Sequence, residues 1–156
     1  MSTFVIHSAS VKSLALLFCL ALPFAGAQAE ERNMQQFGDY QVHYSVFNTS
    51  FLSPDIAGHY GIVRSGDRAL MNVAVLKKQS DGSLENVRAD ISGTRFDLIR
   101  RDPLAFQEVQ EQHAIYYLSD FPVQHRTMIY YTLEILPEGS NRSLEVQFRK
   151  MLYRDE

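Results

Sequence analysis

Apolar side chains recur at every second position along most of this chain, and that period leaves little room for anything but strands. Tyr40, Val42, Tyr44 and Val46 alternate with Gln41, His43, Ser45 and Phe47. Successive strand residues point to opposite faces, so this pattern predicts a strand buried on one side. The period returns from Leu84 to Gly93 through Val87, Ala89 and Ile91. The run Leu70 to Leu76 is more continuously apolar and suits a strand covered on both faces. Thr127 to Leu136 is rich in the aromatic and β-branched residues that strands favour. Leu104–Val109, His113–Phe121 and Leu144–Met151 complete the set. Turn residues punctuate it, among them Asp81-Gly82, Asp102-Pro103, Pro122 and the stretch from Pro137 to Asn141.

One interruption breaks the rhythm. Ser53-Pro54-Asp55-Ile56-Ala57-Gly58 offers a capping serine, a proline at the first helical position and a glycine to end the turn. It predicts one turn of helix leading into Tyr60-Gly61-Ile62-Val63-Arg64. The chain shows no repeat, no low-complexity tract and no linker, which predicts a single domain. Together these features predict an all-β protein, an antiparallel immunoglobulin-like β-sandwich of seven to eight strands. The cysteine pair and core tryptophan of antibody domains are missing. A small β-barrel is the alternative.

The first 29 residues follow another logic. Lys12 precedes an apolar run from Ser13 to Leu22, Pro23 and Gly26 break it, and Ala27-Gln28-Ala29 ends it as an A-x-A cleavage site. The run is too short to span a bilayer, which needs about 20 apolar residues. These features predict a secretory signal peptide over 1–29, cut between Ala29 and Glu30, and a working domain over 30–156. Cys19 lies inside the run behind Phe18, a poor position for lipid attachment. Cleavage removes this sole cysteine, so the remaining chain holds no disulfide, thiolate nucleophile or thiolate metal ligand. An exported, cysteine-free domain points to the periplasm. After cleavage no apolar stretch is long enough to span a membrane as a helix.

Losing Lys12 leaves 14 basic against 18 acidic side chains, a net charge of −4. That argues against nucleic acid and against adsorption to anionic lipid. The charge is uneven: Arg64 to Arg101 carries +3 and Asp102 to Asn141 carries −5. Interleaved strands would mix the two stretches on one surface.

Chemistry-bearing patterns are scarce. His43, His59, His113 and His125 fall at no metal-ligand spacing. Glu111 and His113 would share a strand face but are too few to specify a metal. No nucleophile elbow, S-x-x-K, H-E-x-x-H or phosphate-cradling glycine series occurs. Ser65 fits a turn between strands, and Glu108 with Glu111, the nearest approach to a carboxylate pair, fits a solvated strand edge. The sequence therefore names no catalytic residue, metal site or cofactor. In Tyr116-Tyr117 and Tyr130-Tyr131 one ring of each pair must leave the core side of its strand. Polar and amphipathic groups gather around the first strand and the insertion after it, where His43, Asn48, Tyr60 and Arg64 are the candidate binding residues.

The segments Phe37-Gly38-Asp39-Tyr40-Gln41-Val42-His43-Tyr44, Tyr60-Gly61-Ile62-Val63-Arg64-Ser65 and Ala114-Ile115-Tyr116-Tyr117 resemble an uncharacterised family of small exported proteins of Gram-negative bacteria, catalogued only as a domain of unknown function. The resemblance covers essentially the whole chain after residue 29. It implies a periplasmic β-sandwich and transfers no activity. The functional expectation is a non-enzymatic interaction or accessory domain for another periplasmic or envelope protein. Its alternatives are a carrier of a small ligand in an aromatic-lined cavity and an envelope hydrolase.

Overall fold

Alternation along the chain becomes ten strands, every pair of them antiparallel, in a computed structural model that describes residues 33–112 and 114–155. The proposed signal peptide, its Ala29–Glu30 junction and His113 lie outside the described residues. In chain order the strands are β1 (Met34–Phe37), β2 (Tyr40–Asn48), β3 (Arg68–Lys78), β4 (Leu84–Asn86), β5 (Ala89–Phe96), β6 (Arg101–Pro103), β7 (Gln107–Glu111), β8 (Ala114–Pro122), β9 (Thr127–Pro137) and β10 (Leu144–Leu152). The larger sheet runs β1-β2-β3-β8-β7, with β4 beside the far end of β3, and the smaller runs β10-β9-β5-β6. Among the described residues neither sheet closes on itself, so the arrangement is a sandwich and not a closed barrel.

One stretch expected as a single strand, Leu84–Gly93, divides between the sheets, and together with β1 and β6, which the sequence pattern did not single out, this makes ten strands where seven or eight were expected. At Val87 the backbone N–H still donates to Val75 O on β3 at 2.9 Å. One residue later Arg88 O accepts from Glu138 N–H at 2.7 Å, beside β9. β4 therefore belongs to the larger sheet and β5 to the smaller. The chain crosses back after β6: Leu104 N–H donates to Gly93 O at 2.9 Å, its side chain is buried between the sheets, and β7 starts at Gln107. Alternation continues through both crossings because the inner side of one sheet faces the inner side of the other. Tyr60 to Arg64 forms no strand.

The space between the sheets is filled. Tyr44 stacks on Phe148 with centroids 4.2 Å apart, and Phe148 stacks on Tyr131 at 4.7 Å. Phe121 lies 6.1 Å from Tyr131, so the rings form one run through the core. Val42, Met71, Val73, Val75, Leu133, Ile135 and Val146 close around them with essentially no exposure. Tyr117 crosses from β8, its hydroxyl accepting Ala89 N–H at 2.7 Å and donating to Glu108 at 3.2 Å. The uneven charges interleave as well: Arg68 pairs with Asp120, Arg88 with Glu108 at 3.0 Å and Arg95 with Asp102 at 2.8 Å. Each pair joins the basic stretch to the acidic one.

Candidate functional site

Only one face of the larger sheet meets the smaller. On the other face the registers set Phe47 opposite Leu70, Asn72 opposite Leu118, and Tyr116 opposite Val109. An apolar row thus crosses β2, β3, β8 and β7. The segment between β2 and β3 folds over it and brings down Leu52, Ile56, Tyr60 and Ile62. Row and segment enclose a half-open pocket of about 170 Å³.

Local sequence makes the cover. A 3-10 turn, Thr49–Phe51, leads to α1 (Pro54–His59). Ser53 caps α1 by accepting Ile56 N–H at 3.3 Å, and Pro54 occupies the first turn, where it loses no hydrogen bond. The expected stop at Gly58 comes slightly later. Tyr60 N–H still bonds Ile56 O at 3.2 Å, and Gly61, at φ +66°, reverses the chain so that Ile62 N–H reaches Ala57 O at 2.8 Å. A left-handed residue is easiest for glycine. Ala57 is buried beneath the turn while Ile56 remains 48% exposed at the rim.

The cover is pinned at its base. Thr49 Oγ1 donates to Val63 O at 2.8 Å and accepts Ser65 N–H at 2.9 Å. Asn48 Nδ2 donates to Tyr153 O at 2.7 Å, and Ser50 hydrogen-bonds the Asp155 carboxylate. Asp155 N–H reaches Gly66 O at 3.0 Å, so closely that a Cβ on Gly66 would collide with the Asp155 carbonyl. The C-terminal segment thus staples both ends of the insertion to β10. The Ser65 hydroxyl bonds Asp67 and, as the largest influence, holds that carboxyl below its usual range. At the other end the Tyr60 hydroxyl donates to Glu111 Oε1 on β7. That hydrogen bond to a carboxylate is the main reason the Tyr60 phenol is pushed above its ordinary value, with desolvation adding to it.

The residues singled out from sequence occupy three different places. Tyr60 lines the pocket. Asn48 and Arg64 sit in the pinned base, Arg64 donating to Ser50 O at 3.0 Å. His43 shares the outer face of β2 with Phe47 but lies exposed beside Gln41, Nε2 to Oε1 3.2 Å, and does not line the pocket. Glu108 and Glu111 leave β7 on opposite sides, one toward Tyr117 and Arg88, the other toward Tyr60. Among the described residues no group of three or more His, Cys, Asp or Glu is placed to hold a metal ion. No helix among them is long and apolar enough to cross a membrane.

Ile56, Asn72 and Leu118 were missed as site residues. The signal was present in two places. Phe47 stands in the otherwise polar file of β2, and the run Leu70–Leu76 demands a cover on its second face that neither sheet supplies. Asn72 interrupts that run, and its Oδ1 is sealed from solvent with no hydrogen-bond donor.

A family profile described as "Domain of unknown function (DUF4426)" matches residues 34–155. The fold is similar to a crystal structure of a DUF4426 family protein from Pseudomonas aeruginosa PAO1, with a TM-score of 0.69 and 36% sequence identity, covering 79% of this chain and 95% of that one. No curated protein matches the chain.

Proposed function

Because the chain belongs to the DUF4426 family, a domain of unknown function, we propose its role from the site itself: an exported, non-enzymatic interaction domain that grips a partner protein at the covered outer face of its larger sheet. The observation that carries this reading is the apolar pocket beneath the pinned segment. Small-molecule sites commonly enclose about 300–1,000 Å³. A pocket of about 170 Å³ has room for one side chain. Around it the same segment exposes Phe51 at 74%, Ile56 at 48% and Val63 at 63%. Apolar groups held outward on a fastened segment suit a broad protein contact with one anchoring side chain at its centre. A carrier of a small apolar ligand would use the same ring-lined pocket, and the volume ranks it second. The polar groups at the pocket, Asn72 and the Tyr60 hydroxyl, offer a hydrolase no activated nucleophile.

Export completes the proposal. The run Ser13–Leu22 and the Ala27-Gln28-Ala29 motif support removal of residues 1–29 and action of residues 30–156 in the periplasm, alongside envelope proteins. Protein recovered from cells should begin at Glu30, and a start at Met1 would overturn export. The contact is tested with Ile56→Asp, which alters a half-exposed side chain at the pocket rim and should cost about 1 kcal/mol of stability, read by urea unfolding, and leave the fold intact. The unaltered protein, cross-linked in periplasmic extract, should retain a defined partner that the variant loses. Equal recovery by both proteins, or no partner for either, would refute the reading.

A further inference from the structure

The pocket is not wholly apolar, and its exception points to what it accepts. Asn72 on β3 contributes an amide to a lining otherwise made of aliphatic and aromatic groups, plus the Tyr60 hydroxyl that Glu111 already engages. Asn72 Oδ1 has neither a donor nor solvent. An amide oxygen left unsatisfied in an apolar surround is costly, and a ligand in the pocket can pair with it only once the amide turns its oxygen toward the opening. Turning the amide about its last torsion exchanges oxygen and nitrogen without changing shape. A hydroxyl both donates and accepts, so it serves either orientation.

Size and wall chemistry narrow the choice. An apolar cavity of about 150 Å³ takes a benzene ring. This pocket, at about 170 Å³, has room for a ring bearing one polar atom, and Phe47 and Tyr116 supply aromatic walls. We propose that the pocket takes a tyrosine side chain of the partner protein, its ring held by Phe47, Tyr116 and Leu118 and its hydroxyl by Asn72. This inference rests on the interaction reading above and names the anchor. The exposed rim of Phe51, Ile56 and Val63 favours a tyrosine presented by a protein surface over a free phenol.

The test titrates the protein purified from cells with p-cresol, toluene and N-acetyl-tyrosinamide, following the backbone amide signals of Asn72, Tyr116 and Leu118. p-Cresol should bind about tenfold more tightly than toluene. N-acetyl-tyrosinamide should move the same signals. Asn72→Leu should abolish the preference for p-cresol while still admitting toluene. Toluene binding as well as p-cresol in the unaltered protein would refute the role of Asn72 and leave the apolar pocket standing, a comparison that needs no variant. Persistence of the preference in Asn72→Leu would also refute that role. Binding of p-cresol with exclusion of N-acetyl-tyrosinamide would assign the pocket to a free phenol and overturn the protein anchor. If none of the three binds, both the anchor and the pocket reading fall.

Discussion

The two faces of the larger sheet are built from the same kinds of residue and end differently. On the inner face Tyr44 meets Phe148, and Phe148 meets Tyr131 across the sandwich, ring on ring. On the outer face Phe47 and Tyr116 stand around a gap that Tyr60 closes on one side. Inside, a second sheet with its own alternation supplies a matching surface. Outside, a six-residue helix and its flanks supply too little side chain to fill the row. Among the described residues, one buried polar atom without a partner lies on each side of this sheet. The Tyr131 hydroxyl is locked in the core, where burial pushes its ionisation well above the ordinary tyrosine range. Asn72 Oδ1 is sealed too, but its amide lines a pocket that a ligand can enter, and a turn of that amide exchanges oxygen and nitrogen. An orphan polar group inside a packed core is a cost of the fold, whereas one beside an opening is a means of selection.

The sharpest way to break this contrast is to remove a leucine from each face. Leu133 of β9 is 0% exposed among core rings, so Leu133→Ala should cost about 2–5 kcal/mol in urea unfolding, because it leaves a cavity that rigid neighbours cannot fill. Leu118 already borders the pocket. Leu118→Ala enlarges an existing opening and should cost about half as much or less. Equal losses would mean that the outer face is packed like the core, and the pocket would lose its standing as a site.

A smaller effect separates the cover from the residues that hold it down. Asn48 is buried, with Nδ2 bonded to Tyr153 O and, at 3.4 Å, to Gly66 O. Asn48→Ala leaves both carbonyls without this donor and should cost about 1–3 kcal/mol. Because the contact ties the insertion to the C-terminal segment, amide exchange should accelerate over residues 49–66 and around Tyr153 while β9 stays protected. Unchanged exchange in the insertion would show that the pinned base does not hold the cover in place.

Asn48 also marks where sequence reasoning stops. Strand positions, the turn residues and the capped helix could be read locally, because period, glycine and proline act over a few residues. The division of Leu84–Gly93 between two sheets could not. Its alternation is unbroken, and only Val75 and Glu138, both distant in sequence, decide which neighbour each half takes. The candidate residues suffered likewise. Asn48, Arg64 and Tyr60 were grouped because all lie near one irregular segment. Their partners are Tyr153, Ser50 and Glu111, and two of those three lie far along the chain. Only Tyr60 ends at the pocket. Asn72 goes unmarked within the run Leu70–Leu76 because nothing local shows that a gap lies over it.

The mildest test concerns the latch that makes the outer face closable. The Tyr60 hydroxyl donates to Glu111, and this bond is the main cause of its raised ionisation. A phenol whose folded value lies above its unfolded value stabilises the closed form fully below the unfolded value, about pH 10, and loses that contribution as pH rises through the folded one. Ionised, Tyr60 has no proton to donate and faces a like charge on Glu111. Tyr60→Phe keeps the ring and removes the bond. At neutral pH the variant should therefore show modestly faster amide exchange over α1 than the unaltered protein. The difference should shrink as pH passes the ordinary tyrosine range, where the unaltered latch also opens. Tyrosinate absorbance should show one phenol, absent from the variant, ionising above that range without the full burial of Tyr131. A difference in exchange that persists undiminished at high pH would assign the closing of the cover to ring packing alone and leave Glu111 without a role in it.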